Sequence, residues 1–335
     1  MNNKFNSEAI KRFLTNYALH MILIAMVVVI IFINPKFLKL VNLRNILTQS
    51  SFRIIIALGL SGLLILQGND LSAGRQVGLA AVVSASLLQS VTYASRMYPN
   101  LGQLPIIVPI LIVLAIGAVI GLLNGIVVSV FKVTPFIATL GMQLVVYGVS
   151  SMYVDRPPLG AQPVGGLDAR FLKFAQGNFF GIPYVIIYAL IVIGAIYILW
   201  NKTKLGKNMY AIGGNPEAAI VSGVNVVRNT ITMYMIASML FAFAGMIVAG
   251  QTGSATNNTA TGYELDAIAA SVVGGVSFAG GIGTVPGVVV GVILFQLISY
   301  GLVFIKVSPY WQNIIKGLII IVAVAIDGRK YLKKK

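Results

Sequence analysis

The sequence predicts an all-α polytopic membrane protein with about ten transmembrane helices, and its composition, apolar runs and charge all support this class. Of the 335 residues, 58% are hydrophobic and only 10% are charged, whereas soluble domains carry roughly 25% charged residues. Repeated apolar runs approach the length of about 20 residues that a spanning helix needs. The net charge of +16 is expected to orient these helices rather than to bind nucleic acid. This composition excludes a soluble enzyme and a disordered chain.

Ten apolar runs, taken in order, predict ten spans within one membrane domain that covers residues 1–335. The first run follows Lys4, Lys11 and Arg12, but no small-x-small cleavage site comes after it, so we expect an uncleaved anchor. The predicted spans are residues 17–33, 54–67, 76–95, 106–130, 134–153, 182–200, 229–249, 264–280, 286–305 and 311–327.

Ten spans place both chain termini on the same side of the membrane. Most of the basic residues outside the spans then fall on that side, and the excess of Lys and Arg in cytoplasmic loops predicts cytoplasmic termini. The basic cluster from Lys36 to Arg44 opposes this assignment, and a short amphipathic stretch on the outer surface would accommodate it. On this topology, residues 154–181 form an outer, periplasmic loop and residues 201–228 form the main cytoplasmic loop.

Two glycine series with a spacing of four residues predict helices that pack closely inside the bundle. Residues four apart share one helix face, and glycine there lets two backbones approach closely enough for dispersion to hold them. We expect these positions to pack helices rather than to contact a solute. The series are Gly117, Gly121 and Gly125, and Gly283, Gly287 and Gly291.

A polar segment from Gly68 to Arg75 interrupts an apolar stretch with a carboxylate, which is costly in hydrocarbon. Either Asp70 caps the next helix and pairs with Arg75, or it lines a polar path. Glu264 and Asp266 open a later span, where they would stabilise the positive end of a helix dipole or line the same path. The pathway or gate candidates, each of which could instead hydrogen-bond a neighbouring helix, are Asn69, Asp70, Ser72, Asn124, Gln143, Gln251, Glu264 and Asp266, together with Gln49, Tyr147 and Gln296.

The main cytoplasmic loop contains the start and stop signals of a short helix. Asn215 is a preferred N-cap, Pro216 suits the first helical position, and Glu217 suits the positive end of the dipole. A helix of about two turns is unstable alone, and exposed Ile220 and Val221 would favour a groove on a partner protein. The alternative is packing on the protein's own membrane ends. The residues assigned to this coupling helix are Asn215, Pro216, Glu217, Ala218, Ala219, Ser222 and Gly223.

Two motifs resemble the ribose-type permeases of bacterial sugar ABC importers. The glycine-framed Asn-Pro-Glu-Ala-Ala at 215–219 resembles the coupling loop of that family, and Gly-Asn-Asp-Leu-Ser-Ala-Gly at 68–74 resembles its Gly-x-Asp-Leu-Ser-x-Gly signature. The stretches 254–258 and 263–270 are most similar to the galactose and methyl galactoside branch. Further similar stretches, which extend the resemblance over almost the whole chain, are residues 41–58, 134–141, 200–226, 253–283 and 310–325.

The resemblance implies a type II ABC importer permease in the bacterial inner membrane, with ten helices per subunit and a pathway between two copies of the chain. It also implies an ATP-binding cassette ATPase on the cytoplasmic face and a periplasmic or lipid-anchored sugar-binding protein outside. Residues 215–223 would then be the coupling helix, and Asp70 would lie near the pathway or its inner gate. The expected solute is galactose or methyl galactoside, with ribose or a nucleoside as the alternative.

The sequence predicts no enzyme activity and no cofactor in this chain. The phosphate-binding pattern Gly-x-x-x-x-Gly-Lys-Ser/Thr is absent, since Gly206-Lys207 is followed by Asn208. Cysteine is absent and histidine occurs once, which excludes disulfides and thiolate metal sites. ATP and Mg²⁺ would therefore bind to partner subunits. The rival class is an ion-coupled secondary transporter, for which Asp70, Glu264 and Asp266 are the candidate carboxylates.

Overall fold

The computed structural model describes residues 21, 23–155 and 160–332, and these ranges are mainly helical. The start of the predicted first span, residues 17–20, lies outside them. A 3₁₀-helix, Pro35–Leu38, and an antiparallel hairpin of β1 (Asn178–Phe179) and β2 (Ile182–Pro183) accompany the α-helices. The helices are α1 Leu23–Ile33, α2 Leu40–Ile65, α3 Ala73–Leu87, α4 Ile107–Ser129, α5 Pro135–Val154, α6 Ala169–Gln176, α7 Tyr184–Lys202, α8 Lys204–Gly214, α9 Pro216–Val221, α10 Val226–Thr252, α11 Tyr263–Val273, α12 Val285–Phe304 and α13 Pro309–Leu332.

Six helices within the described ranges are long and apolar enough to cross a membrane, namely α2, α4, α5, α7, α10 and α12. The predicted all-α polytopic class is therefore confirmed. The predicted interruption near Gly68–Asp70 is also confirmed, because α2 ends at Ile65 and α3 begins only at Ala73.

Two predicted spans extend beyond the C-terminal ends of the observed helices. The helix predicted over residues 264–280 is α11, which has 11 residues and stops at Val273, because Gly275 adopts φ +86°. A helix of that length is too short to cross a bilayer, which needs about 20 residues. The helix predicted to reach residue 95 stops at Leu87, and the irregular chain that follows is tied down by Gln89, whose Nε2 donates to the Gly165 carbonyl at 2.8 Å.

The second helix begins 14 residues earlier than predicted, at Leu40 rather than at residue 54. Its polar side chains find long-range partners that the sequence does not reveal. Arg53 binds Asp266 at 2.8 Å, and Asn42 accepts a hydrogen bond from the Tyr300 hydroxyl at 3.0 Å. Because other helices supply partners for these groups, the cost of placing polar side chains within α2 is reduced.

The centre of the bundle is α10, against which α2, α3 and α4 pack. Gly117, Gly121 and Gly125 lie on one face of α4 and contact the α10 backbone directly. The second glycine series does not share one helix as predicted, because Gly283 precedes α12. Within α12, Gly287 and Gly291 lie against the backbone at the end of α11. Glycine at these contacts lets helices meet without side chains between them.

Gly121→Leu is expected to destabilise the folded chain by about 1–3 kcal/mol or more, the usual cost of overpacking. A Cβ atom at residue 121 would lie 2.6 Å from the Met235 Cα atom, and neither backbone can withdraw without opening the helix pair. The thermal midpoint of the detergent-purified protein measures the effect. Gly148→Leu on α5 is the control, since a Cβ there meets no atom of the described residues within 4 Å; equal losses in the two variants would contradict close α4–α10 packing.

The two ends of α10 define two opposite faces of the molecule. The helix is 27 residues long and follows α9 directly, so its first turns mark the α9 face. At its other end, Gln176 of α6 donates to the Gly250 carbonyl at 2.8 Å, which places α6 and the hairpin on the α6 face. The α8–α9 arm and the α6 segment therefore lie on opposite sides of the membrane.

Candidate coupling helix and transport path

The predicted short helix exists as α9 and has the predicted ends. The Asn215 side chain accepts a hydrogen bond from the Ala218 N–H at 3.0 Å, and Pro216 occupies the first turn. Gly223 has φ +80°, and the Val224 N–H donates to the Ala219 carbonyl at 3.0 Å. This pattern closes the helix with the left-handed glycine that the sequence indicates.

One side of α9 packs on the chain itself and the other side is free. Ala219 is only 4% exposed and belongs to the apolar core, whereas Ile220 is 59% exposed and Val221 is 90% exposed. Glu217 and Ala218 are exposed as well. The alternative of packing on the chain itself is confirmed for one side of α9, and its other side presents a bare apolar surface at the α9 face.

A group of close backbone contacts joins α8 to the rest of the bundle, and we call Ile65, Gln67, Gly213, Gly280 and Gly281 the glycine junction. Gln67 Nε2 donates to the Gly213 carbonyl at 2.9 Å, and the Gly281 N–H donates to the Ile65 carbonyl at 2.8 Å. Gly280 and Gly281 have positive φ values. Sequence reasoning missed this junction, although the pair Gly213-Gly214 and the glycines at 280–283 were available as a signal of close approach.

Asp70 is fully buried and forms the centre of a hydrogen-bond cluster between α3 and α4. Its carboxylate accepts from the Ser72 N–H at 2.8 Å, the Ser72 hydroxyl at 2.5 Å, Gln76 Nε2 at 3.1 Å and Asn124 Nδ2 at 3.2 Å. The neighbouring Asn69 carbonyl accepts from the Tyr234 hydroxyl of α10 at 2.9 Å. The predicted N-cap role is replaced by this cluster, and the partners Gln76 and Tyr234 were not foreseen.

Arg75 does not pair with Asp70, contrary to one of the predicted alternatives. Its Nη1 donates to the Asn257 carbonyl at 3.2 Å, to Asn258 Oδ1 at 3.2 Å and to Thr261 Oγ1 at 3.1 Å. The guanidinium carbon also lies 4.3 Å from the ring centroid of Tyr147. Arg75 therefore joins α3 and α5 to the irregular chain that precedes α11.

The first turn of α11 brings two carboxylates to the middle of the bundle. Asp266 lies between Arg53 of α2 and Lys316 of α13, at 2.8 and 2.9 Å. The Arg53 guanidinium also lies 4.5 Å from the Tyr263 ring centroid. Glu264 is buried against Gly74 of α3. The two acidic residues thus anchor α11 to three other helices, in addition to lying at the positive end of its dipole.

The other polar residues predicted for a pathway lie apart from one another. Gln143 is half-buried on α5, one turn before Tyr147. Gln251 is half-buried at the end of α10 and donates to the Ala175 carbonyl of α6. Gln296 of α12 donates to Gln49 Oε1 of α2 at 2.9 Å. The last two form contacts between helices.

On the α6 face, Asp168 caps α6 and binds Arg170. It accepts from the Arg170 N–H at 2.8 Å and from Arg170 Nη2 at 3.1 Å, and Gln103 Nε2 donates to it as well. Hydrogen bonding to the Arg170 side chain, with smaller support from Gln103, lowers the pKa of Asp168 to about 2. The carboxylate therefore stays ionised at neutral pH and holds residues 103–104 against α6.

A helical bundle that has, within its described residues, six helices long and apolar enough to cross a membrane, and polar side chains buried between its helices, is the architecture of a polytopic membrane protein. The chain belongs to the permease family described as branched-chain amino acid transport system / permease component, whose family model matches residues 42–324. This finding confirms the predicted permease resemblance.

Three curated relatives span almost the whole chain. The chain is 60% identical over 322 residues to the galactose/methyl galactoside import permease of Haemophilus influenzae, covering 95% of each protein. It is 56% identical over 334 residues to the permease of the same name from Escherichia coli K12, covering 98% of this chain and 99% of that one. The ribose import permease of H. influenzae is 34% identical over 334 residues, covering 100% and 99%. No solved structure gives a significant match.

Proposed function

We propose that the chain is the permease subunit of an ATP-driven ABC importer for galactose and methyl galactosides in the bacterial inner membrane. The solute is supported by the 56–60% identity to two permeases of that name, compared with 34% to a ribose permease. The mechanism depends on one observation, which is the free apolar side of α9. A capped helix that exposes Ile220 and Val221 beside a polar loop is suited to a groove on a partner protein.

The proposed partners follow from the two faces. An ATP-binding cassette ATPase, which binds ATP and Mg²⁺, docks on α9, so the α9 face and both chain termini are cytoplasmic. A periplasmic or lipid-anchored sugar-binding protein meets the α6 face. A second copy of the chain completes the pathway, and the chain itself hydrolyses no ATP. Ribose or a nucleoside is the alternative solute for the same machinery.

The contacts of α8 and α9 connect α9 mechanically to the end of α2. The Asn215 N–H donates to the Ala211 carbonyl of α8 at 3.0 Å, so α8 and α9 are joined by a rigid bend. The glycine junction joins the end of α8 to Gln67, which immediately precedes the interruption at Gly68–Asp70. When the ATPase dimer closes, α9 moves as a lever, α8 pulls on the end of α2, and the start of α3 shifts to open the pathway outward.

Val221→Asp is expected to release the ATPase from the permease and to abolish ATP-driven galactose uptake. The residue is 90% exposed, so the variant will fold normally, but a carboxylate in an apolar groove lacks a partner. Co-purification of the cognate ATPase with the tagged permease, together with uptake in proteoliposomes, measures both effects. Glu217→Arg is expected to act in the same direction.

Phe180→Asp is the matched control for co-purification, since Phe180 is 92% exposed on the opposite face. Retention of the ATPase and of uptake by Val221→Asp would show that α9 is not the docking helix. The rival mechanism has its own test: uptake by this chain alone, driven by a proton or sodium gradient without ATP, would assign it to the ion-coupled class.

A further inference from the structure

The segment between α10 and α11, residues 253–262, enters the interior of the membrane without forming a helix. Arg53, which contacts the first turn of α11, stands 13 residues from the start of α2 and 12 from its end. Tyr147, which contacts Arg75, stands 12 residues from the start of α5 and seven from its end. Both α2 and α5 cross the membrane. The chain from Asn257, which Arg75 binds beside Tyr147, to Tyr263, which Arg53 contacts, therefore lies well below the α6 face.

Irregular backbone at such a depth occurs only where protein buries it or where it lines water. Part of the segment is buried, since a Cβ atom at Gly78 of α3 would lie 2.7 Å from the Thr259 carbonyl oxygen. Its other side is open. Asn258 and Thr261 are exposed, and Leu265 is 48% exposed. An amide and a hydroxyl exposed within a membrane are costly against lipid, so this side faces water or a second subunit.

Arg75 gives the open side a fixed set of donors. The hydrogen bonds described above all leave from Nη1, and Tyr147 supports the guanidinium plane, so Nη2 and Nε remain available among the residues that the structure describes. The Glu264 carboxyl lies against Gly74, the residue next to Arg75, and so adds an acidic group near the cation. The surface therefore offers hydrogen-bond donors and acceptors with little net charge, which suits the hydroxyl groups of a neutral sugar better than an anion.

We propose that Arg75, Tyr147, Asn258 and Thr261 form a sugar contact surface midway along the transport path. This inference rests on the proposed function, because it takes the solute to be a galactoside. Arg75, Asn258 and Thr261 bind sugar hydroxyls as the solute passes, and Tyr147 positions the Arg75 guanidinium. The proposal places the open side toward the proposed second copy, so that the two copies present the surface from both walls of the path.

The absence of cysteine from the sequence allows a direct test of water access. In the complete transporter, Thr261→Cys is expected to react with a water-soluble, membrane-impermeant methanethiosulfonate. The reaction is expected to slow about tenfold, the effect of about 1.4 kcal/mol, when vanadate traps the complex with galactose and the binding protein. Leu144→Cys is the control. Leu144 is 69% exposed on the same helix as Tyr147, but its neighbours on that helix are mainly apolar. A cysteine there should face lipid and should not react.

A second variant separates sugar contact from simple exposure. Thr261→Val keeps the side-chain shape and removes the hydroxyl, so the maximal galactose uptake rate is expected to fall about tenfold, with binding-protein-stimulated ATP hydrolysis retained. Thr232→Val is matched to it, because the Thr232 hydroxyl donates to the Arg228 carbonyl at 2.8 Å just as the Thr261 hydroxyl donates to the Asn258 carbonyl at 2.8 Å. Both variants lose one local hydrogen bond, and uptake by Thr232→Val should be unchanged.

An unreactive Thr261→Cys, a reaction rate that galactose does not alter, or full uptake by Thr261→Val would each overturn the contact surface. These results are distinguishable from failure of the proposed function, in which the unaltered chain with its ATPase and binding protein would take up no galactose.

Discussion

Gly213→Ala will abolish ATP-driven uptake even though residue 213 lies outside α9 and within α8. A Cβ atom there would overlap the Ile65 carbonyl oxygen and would lie 2.6 Å from the Gly281 nitrogen. Those two atoms already form a 2.8 Å hydrogen bond, so no flexible side chain can give way. The methyl group must push α8 away from α2 and break the bond from Gln67 to the Gly213 carbonyl.

The expected result is a folded permease in which ATP hydrolysis no longer drives transport. We expect the ATPase to co-purify, because the exposed residues of α9 are unchanged, and galactose uptake in proteoliposomes to fall to background. Gly214→Ala is a close control, since a Cβ atom at this next residue of the same helix would meet no atom of the described chain within 4 Å. Normal uptake by Gly213→Ala would show that force does not pass through the glycine junction.

Asp70→Ala will unfold the chain or leave it largely inactive. The substitution removes the acceptor for four donors from Ser72, Gln76 and Asn124, all of which are buried. Gln76 Nε2 and Asn124 Nδ2 keep the Ser72 hydroxyl as an acceptor, whereas the Ser72 N–H and hydroxyl lose the carboxylate. Each buried group left unsatisfied costs about 1–3 kcal/mol, so the loss lies at or above the upper end of what most substitutions cost. The thermal midpoint of the purified protein and its yield from membranes measure the loss.

Two comparisons make the Asp70 result specific. Asp70→Asn keeps one acceptor oxygen for Ser72 and should lie between the wild type and Asp70→Ala. Asp155→Ala removes an exposed carboxylate at the end of α5 and should change stability by less than about 0.5 kcal/mol, as is usual at the surface. If Asp70→Ala were as stable as Asp155→Ala, the cluster could not be holding α3 against α4.

The predictable features depend on residues that lie close together in the sequence. The N-cap Asn215, the proline after it and the glycine at 223 specify α9, because capping groups lie within one turn of the backbone they satisfy. The interruption after α2 follows in the same way, since a carboxylate and two glycines within seven residues disfavour a continuous apolar helix.

The features that were not predictable depend on residues far apart in the chain. Arg75 lies five residues from Asp70, yet it binds the chain at 257–261, because the fold brings that segment beside α3. Apolar content suggested a full span at residues 264–280, whereas Gly274 and Gly275 end α11 and let the chain turn toward α8. Composition alone cannot distinguish a spanning helix from a half-length helix followed by a buried turn.

Local hydrophobicity and backbone capping were enough to predict the membrane class, the break after α2 and the short capped helix α9. The partners of Arg53, Asp70 and Arg75, and the close approach of α8 to α2, depend instead on how the helices pack. The physical reason is that a charged or polar group inside a membrane must find a partner, and the identity of that partner depends on which helices lie beside it.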